Sequence, residues 1–353
     1  MNRLRENLLY AGLSRETFRS VWPQAVEDDR KMLEICSLAA CLILLVIALV
    51  NQVTKGFAFN NQMVYSFMVI IGLVINVCAA KIAPKHPRTV LPLAYAFIAA
   101  LLLFGMDITL RHPDQPAVTF LVMLVLAPFI FADRPIRSIV ILLATAAAFC
   151  VLTLRVKERS LAVIDIWNAL SFTMLAVFAD VLQMRTKFRV LAQEREIRYL
   201  SETDLLTGTK NRNCYELRFP GLDKCCEDSL TCIYADVNDL HRLNNEKGHA
   251  AGDRMLQTVA RSLLISFGEE NVYRIGGDEF VVFCPDRTEE NIPATLAEIE
   301  EELAKDDYHI SAGYARQETP QIHLISLTAE AERRMYEAKE NYYRQIGNDR
   351  RSR

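Results

Sequence analysis

Apolar residues crowd the first half of the chain and alternate with polar ones in the second. Six stretches, about 33–53, 63–82, 89–106, 116–132, 137–154 and 161–182, are almost continuously hydrophobic. Runs such as CLILLVIALV (Cys41–Val50) and MVIIGLVINV (Met68–Val77) carry no charge. Each stretch approaches the ~20 residues a helix needs to cross a bilayer, the third to fifth being short. From Val181 to Leu200 the chain is charged but keeps an apolar stripe of Met184, Phe188, Leu191, Ile197 and Leu200. Steps of four and three give a helix with one sticky face, although the step from Leu191 to Ile197 breaks a heptad. Such a face either packs on its own domain or pairs with the same helix of a second chain. Beyond Asp204, short β-rich runs separate amphipathic helices. LTCIYADV (Leu230–Val237), NVYRI (Asn271–Ile275), EFVVFC (Glu279–Cys284) and YHISAGYA (Tyr308–Ala315) read as strands. RMLQTVARSLLISF, TLAEIEEELAKD and AEAERRMYEAKENYYRQ read as helices, which together predict an α/β sandwich built on one sheet.

These patterns divide the 353 residues into a segment 1–32, an all-α membrane bundle of about six transmembrane helices over 33–182, a connecting helix 183–203 and a soluble domain 204–350. Six spans place both termini on one side, and basic residues choose the side. Arg3, Arg5, Arg15, Arg19, Arg30 and Lys31 precede the first span. Lys81, Lys85, Arg88, Arg134 and Arg137 occupy the second and fourth loops, and Arg185, Lys187 and Arg189 follow the last span. The opposite loops hold Lys55, Arg111, Arg155, Lys157 and Arg159. The balance predicts a multi-pass protein of the cell membrane, in contact with the lipid bilayer, with cytoplasmic N- and C-termini. The polar first thirty residues lack the apolar core of a cleavable signal. Leu4, Leu8, Phe18, Val21 and Trp22 suggest a membrane-surface helix there. Asp107, Asp165, Asn168 and Asp180 fall at or near span ends, where they are expected to reach the interface.

Composition adds mainly exclusions. A net charge of −3 offers no basic field for nucleic acid. The nine cysteines show no CxxC pair, so neither zinc nor redox chemistry is expected. Cys36, Cys41, Cys78 and Cys150 sit in apolar runs as small hydrophobes, and the remaining five fit a reduced domain.

Two acidic spots carry the candidate chemistry. Asp236 ends an apolar strand, and Gly276-Gly277-Asp278-Glu279 fills the short gap of a hairpin. Carboxylates converging from adjacent strands suit Mg²⁺ bound to phosphates. Glycines beside them let the backbone approach a ligand.

RIGGDEF (Arg274–Phe280) resembles the signature hairpin of GGDEF diguanylate cyclases. DLLTGTKNR (Asp204–Arg212), DVNDLHRLNNEKGHAAGD (Asp236–Asp253), HISAGYA and MYEAK (Met335–Lys339) resemble that family's other motifs, in the family's order. The resemblance covers about 150 residues, all beyond Tyr199. It implies a fold similar to nucleotidyl cyclases and the polymerase palm, and the condensation of two GTP molecules into cyclic di-GMP with release of two pyrophosphates. It further implies that Asp236, Asp278 and the Val237 carbonyl hold Mg²⁺, two ions per site, with Mn²⁺ as an alternative. Asp278 and Glu279 would be catalytic. Asn244 and Asp253 would read the guanine edge, Gly276 and Gly277 would lie along the nucleotide, and His241 and Lys339 would face the triphosphate. Because each domain of such an enzyme holds one GTP, a homodimer is implied.

The sequence also departs from the family. His241 stands where a phosphate-binding Lys is common, Leu240 replaces Phe, Asn238 replaces Asp, and Tyr342 and Tyr343 occupy the register of a Gly-Arg pair. These changes are expected to raise KM more than to abolish turnover. A catalytically silent GTP-binding module is the alternative reading. The family's Arg-x-x-Asp product-inhibition motif would fall on Phe267-Gly268-Glu269-Glu270, so feedback through that site is expected to be missing.

Overall fold

The computed structural model describes residues 2–54, 61–286 and 291–351, with side chains for 6–50, 61–286 and 291–345. Lys55 and the side chains of Arg3, Leu4 and Arg5 lie outside the described residues. The chain divides into two compact units, Met1–Arg195 and Glu196–Arg353.

The first unit is helical: α1 (Asn2–Tyr10), α2 (Arg15–Thr54), α3 (Gln62–Val77, prolonged by a π-helical turn Cys78–Ile82), α4 (Val90–Arg111), α5 (Val118–Leu126), α6 (Pro135–Val156) and α7 (Arg159–Glu202). Five helical stretches, Glu6–Val50, Gln62–Ile82, Pro87–Arg111, Pro135–Val156 and Arg159–Glu202, are long and apolar enough to cross a membrane. The fourth predicted span forms only the shorter apolar helix Val118–Phe129. At ~1.5 Å per residue it reaches roughly 18 Å, well short of a ~30 Å hydrocarbon core. Pro128 stands in its terminal 3₁₀ turn and supplies no N–H to continue the α-helix. Large apolar side chains, Leu42, Phe67, Leu103 and Phe178 among them, point outward. Inward, Phe120 stacks on Phe149 with ring centroids 4.0 Å apart.

Two expectations about polar positions change here. Asp107 is half-buried and pairs with Arg111 at 2.6 Å. Asp165 and Asp180, however, are fully buried, because residues on the inward face of α7 stay inside the bundle whatever their distance from a span end. The predicted surface helix also turns inward. Phe18 and Val21 on α2 are buried with Met184, Phe188 and Leu191 of α7. The Phe18 and Phe188 rings lie 4.6 Å apart, and Trp22 stacks parallel to Phe188 at 6.2 Å. The upper stripe of the connecting helix therefore packs on its own chain. Ile197 and Leu200 remain exposed.

The second unit opens with α8 (Arg212–Arg218), whose first turn is capped by the Asn211 side chain accepting the Cys214 N–H at 2.9 Å. There follow β1 (Ser229–Val237), α9 (Leu240–Lys247), α10 (His249–Phe267), β2 (Val272–Arg274), β3 (Glu279–Pro285), α11 (Asn291–Ala304), β4 (Ile310–Glu318) and α12 (Leu324–Arg351). The strands pair antiparallel in the order β2-β3-β1-β4. Alternation along β1 divides its side chains: Ile233, Ala235 and Val237 face a core with α10 and α11. Leu230, Cys232 and Tyr234 face another with α8 and α12. Helices thus cover both faces of one sheet, as the alternating pattern predicted. Among the described residues no disulfide joins the cysteines.

The ring cluster joining α2 to α7 gives the first test. Phe18→Ala and Phe188→Ala should each destabilise the N-terminal unit by about 3 kcal/mol. The double variant should fall short of the sum by ~0.5–1.5 kcal/mol, the coupling of touching rings. Denaturant unfolding of the full chain in micelles, followed by tryptophan fluorescence, measures this. Strict additivity would mean the rings do not meet.

Candidate active site

The register of the sheet builds the site. Asp236, the penultimate residue of β1, pairs directly with Glu279, the first of β3. Opposite residues of an antiparallel pair project to the same face, and like charges there repel. Strand alternation puts Asp236 on the α12 face, where Lys339 meets its Oδ1 at 2.7 Å. Asp278 joins the cluster: the N–H of Val237 donates to its carbonyl at 3.0 Å, and its charge acts on both Asp236 and Glu279.

The electrostatics are those of crowded carboxylates with too little positive charge. Burial pushes Asp236 up from its ordinary range, Lys339 pulls it back, and Asp278 adds to the rise. Burial also raises Glu279, followed by repulsion from Asp278 and Asp236. Burial works against the Lys339 ammonium, but Asp236 outweighs it and holds Lys339 above its usual value.

Close backbone approaches place these groups. A Cβ on Gly313 of β4 would lie 2.1 Å from the Met335 N of α12, so α12 rests on bare strand backbone. Lys339 follows Met335 by one helical turn and so reaches Asp236. A Cβ on Gly252 would lie 2.1 Å from Asn244 Oδ1, so this glycine makes room for the Asn244 amide between α9 and α10. Gly248, at φ +81°, turns the chain between those helices. In the hairpin, Gly277 is open to solvent, and a Cβ on Gly276 would lie 2.6 Å from the Glu279 carboxylate.

The Asp204 segment holds the hairpin from outside. The Asp204 carboxylate accepts from the Thr207 N–H at 2.9 Å and its hydroxyl at 2.7 Å. It also accepts from Arg274 Nη1 at 3.0 Å. Arg274 Nη2 in turn donates to the Gly277 carbonyl at 2.7 Å. Burial opposes ionisation of Asp204, but these donors outweigh it and hold the carboxyl below its ordinary value.

Among the predicted site residues, Asp236, Val237, Asp278, Glu279 and Lys339 come together. Asn244 sits on Gly252, beside Asp253. Asp253 and His241 are exposed. Among the described residues no hydrogen bond joins Asn244, Asp253 or His241 to the carboxylates. The link is indirect: Asp239, at φ +60° ahead of α9, accepts from the Tyr342 hydroxyl at 3.3 Å and donates its N–H to the Tyr343 hydroxyl at 3.3 Å. The two tyrosines that depart from the family register thus tie α9 to α12. Sequence reading did not assign roles to Asp239, Gly252 or Gly313. For Gly313 the signal was a glycine inside a strand, which marks close approach of another backbone. Where product inhibition was expected to be missing, Phe267 is buried. Glu270 there bonds Arg218 at 2.7 Å and pairs with Lys210 at 3.1 Å.

Divalent metal fits this donor set in part. Asp236 Oδ1 is buried against the Lys339 ammonium at 2.7 Å, and Asp236 pairs across the strands with a second carboxylate, Glu279. Among the described residues no three His, Cys, Asp or Glu side chains group closely enough to hold a metal ion by themselves. An incomplete oxygen shell of this kind suits an ion that keeps water and phosphate ligands.

Residues 201–345 match the family described as "Diguanylate cyclase, GGDEF domain". An uncharacterized signaling protein of Caulobacter vibrioides is 38% identical over 106 residues, 29% of this chain and 13% of its own length. The cyclic di-GMP phosphodiesterase PdeB of Shewanella oneidensis is 32% identical over 139 residues, 36% of this chain and 16% of its own. The chain therefore spans less than a fifth of these relatives. The GGDEF domain of DgcB from Caulobacter crescentus, solved in complex with c-di-GMP, shares 22% identity. That likeness covers 40% of this chain and 91% of the solved one, with a TM-score of 0.37. The C-terminal unit is a GGDEF domain of the diguanylate cyclase type, a class that works in cyclic di-GMP signalling.

A carboxyl whose pKa is raised by folding stabilises the fold only while protonated. Its contribution is complete below the unfolded pKa and is lost as pH rises through the folded one. Glu279→Gln should therefore raise the melting temperature of the metal-free protein at about pH 8 and leave it unchanged at about pH 4, near the ordinary glutamate range. Added Mn²⁺ should narrow the gap at the higher pH. A difference independent of pH would contradict the crowded-carboxylate description.

Proposed function

We propose that this protein is a membrane-anchored diguanylate cyclase, joining two GTP molecules into cyclic di-GMP and releasing two pyrophosphates. The observation that carries the reading is the convergence of Asp236, Asp278 and Glu279 at adjacent strand ends, with Lys339 beside them. Asp236, Asp278 and the Val237 carbonyl would hold Mg²⁺ or Mn²⁺, which when bound offsets negative charge on the reacting phosphate oxygens. Gly277 leaves the hairpin backbone open for the nucleotide. Asn244 and Asp253 supply donor and acceptor groups that select guanine over adenine. Lys339, released from Asp236, would meet the triphosphate as a point charge, and His241, exposed on α9, would face it too. In each bond-forming step a GTP 3′-oxygen attacks the α-phosphorus of the other GTP, its proton leaves, and the bond to pyrophosphate breaks. Asp278 or Glu279 is placed to take that proton. Since one domain holds one GTP, two chains act as a homodimer. The outward apolar side chains of the N-terminal unit support anchoring in the cell membrane, and the distribution of basic residues supports a cytoplasmic GGDEF domain. The count of spans turns on whether the short helix Val118–Phe129 crosses.

A silent nucleotide-binding module is the second reading. It is favoured by Lys339 standing on Asp236 and by His241 in place of a lysine. Product analysis separates the two. The full chain in micelles, given GTP with Mg²⁺ or Mn²⁺, should yield cyclic di-GMP by mass spectrometry. Asp236→Ala and Asp278→Ala should each lose roughly a hundredfold or more in kcat while remaining folded. Nucleotide binding without product would establish the silent module. Retention of more than about a tenth of kcat in either variant would remove these carboxylates from the reaction.

Gly252 offers a separate test of guanine reading. Gly252→Ala should push Asn244 aside and raise KM for GTP about tenfold, the worth of one hydrogen bond of about 1.4 kcal/mol. The kcat should stay near wild type. An unchanged KM would take Asn244 out of substrate binding.

A further inference from the structure

Four carboxylates of the N-terminal unit, Asp29, Asp133, Asp165 and Asp180, are fully buried. Three have a cation from this chain. Lys187 Nζ lies 2.7 Å from Asp29 Oδ1, Arg137 Nη1 lies 3.0 Å from Asp133 Oδ2, and Lys157 Nζ lies 2.7 Å from Asp165 Oδ2. Asp180 has no such partner among the described residues, and neither of its oxygens makes a well-directed hydrogen bond. A buried carboxylate without a counter-charge is among the costlier things a fold can hold. The pairing of the other three shows how this unit ordinarily avoids that cost.

Asp180 also borders open space. A cavity of about 20 Å³ lies between α4, α6 and α7, lined by Tyr95, Ile98, Phe131, Ser138, Leu142 and Asp180. That is room for one water-sized body. Ser138 is the polar neighbour set to reach the carboxylate. The Tyr95 hydroxyl donates to Asp133 Oδ2 at 2.6 Å, which leaves its oxygen free to accept. The lining therefore offers one negative charge, two hydroxyl oxygens and apolar walls. A single carboxylate among apolar walls balances a monovalent ion but leaves a divalent one half-neutralised, and an organic amine needs more room.

We propose that Asp180, with the hydroxyls of Ser138 and Tyr95, is a binding site for a single small monovalent metal cation of the Na⁺ class. The ion supplies the positive charge that Lys187, Arg137 and Lys157 supply to the other buried carboxylates. It seats on α7, the helix that continues to Glu202 at the edge of the GGDEF domain. Occupancy is thereby coupled to the packing of α4 and α6 against that helix, which makes the ion a candidate input for the unit.

Equilibrium binding of ²²Na⁺ to the full chain in micelles tests this, with N-methyl-D-glucamine chloride holding ionic strength constant. Binding should be saturable at a single site, displaced by unlabelled Na⁺ or Li⁺, lost in Asp180→Asn and weakened severalfold in Ser138→Ala. Gel filtration identifies folded variants, and Ser138→Ala keeps the test decisive if Asp180→Asn aggregates. Absence of saturable binding in the wild type, or undiminished binding in the folded variants, would overturn the site. A wild type that binds no Na⁺, with carbodiimide labelling of Asp180 that follows pH alone, would place a proton there instead and equally overturn it. Because the readout is binding, the result stands whether or not the GGDEF domain turns over GTP.

Discussion

Removing a carboxylate from water is affordable only when positive charge or several donors replace the lost hydration. That constraint organises both units of this chain. In the N-terminal unit Lys187, Arg137 and Lys157 are each held against a buried aspartate. In the GGDEF domain the same requirement brings Lys339 to Asp236. Among the described residues the chain's own cations fall short at the Asp236–Asp278–Glu279 cluster and at the lone Asp180. Both are places where, on the proposals made above, an external cation would complete the electrostatics. One suits a divalent ion shared with phosphate, the other a small monovalent ion in an apolar pocket.

The acidic cluster also costs the fold stability. A like-charged pair directly across β1 and β3 weakens the sheet end that carries it, and burial of Asp236 and Glu279 adds to the strain. The surroundings compensate by rigidity. Arg274 ties the hairpin to the Asp204 turn, α12 lies flush on Gly313, and Tyr342 and Tyr343 fasten the head of α9. The two tyrosines are departures from the family pattern, and their hydroxyls hold structure where that pattern has a glycine and an arginine.

The connecting helix shows why an apolar stripe alone does not name its partner. Met184, Phe188 and Leu191 have the spacing of a dimer seam, yet α2 returns Phe18, Val21 and Trp22 to cover them. Those aromatics had looked suited to a membrane surface because both environments bury one face of an amphipathic helix. Of that stripe, Ile197 and Leu200 stay exposed.

From the sequence alone came the division into a long-run apolar half and an alternating half, the positions of the four strands along the chain, and the motif residues of the GGDEF domain. These were legible because hydrophobic period and turn chemistry are local, and because strand register carries Asp236 and Glu279 to the same face once the strands are known. Tertiary structure decided which buried aspartate lacks a cation, which side chains cover Phe188, and that the fourth apolar stretch forms a short helix ending at a proline. It also decided that bare glycine backbone lets α12 bring Lys339 to Asp236 and lets Asn244 lie over Gly252. Apart from the short helix, each depends on the distance between residues remote in sequence. Packing of whole helices and sheets sets those distances, and no local pattern encodes them.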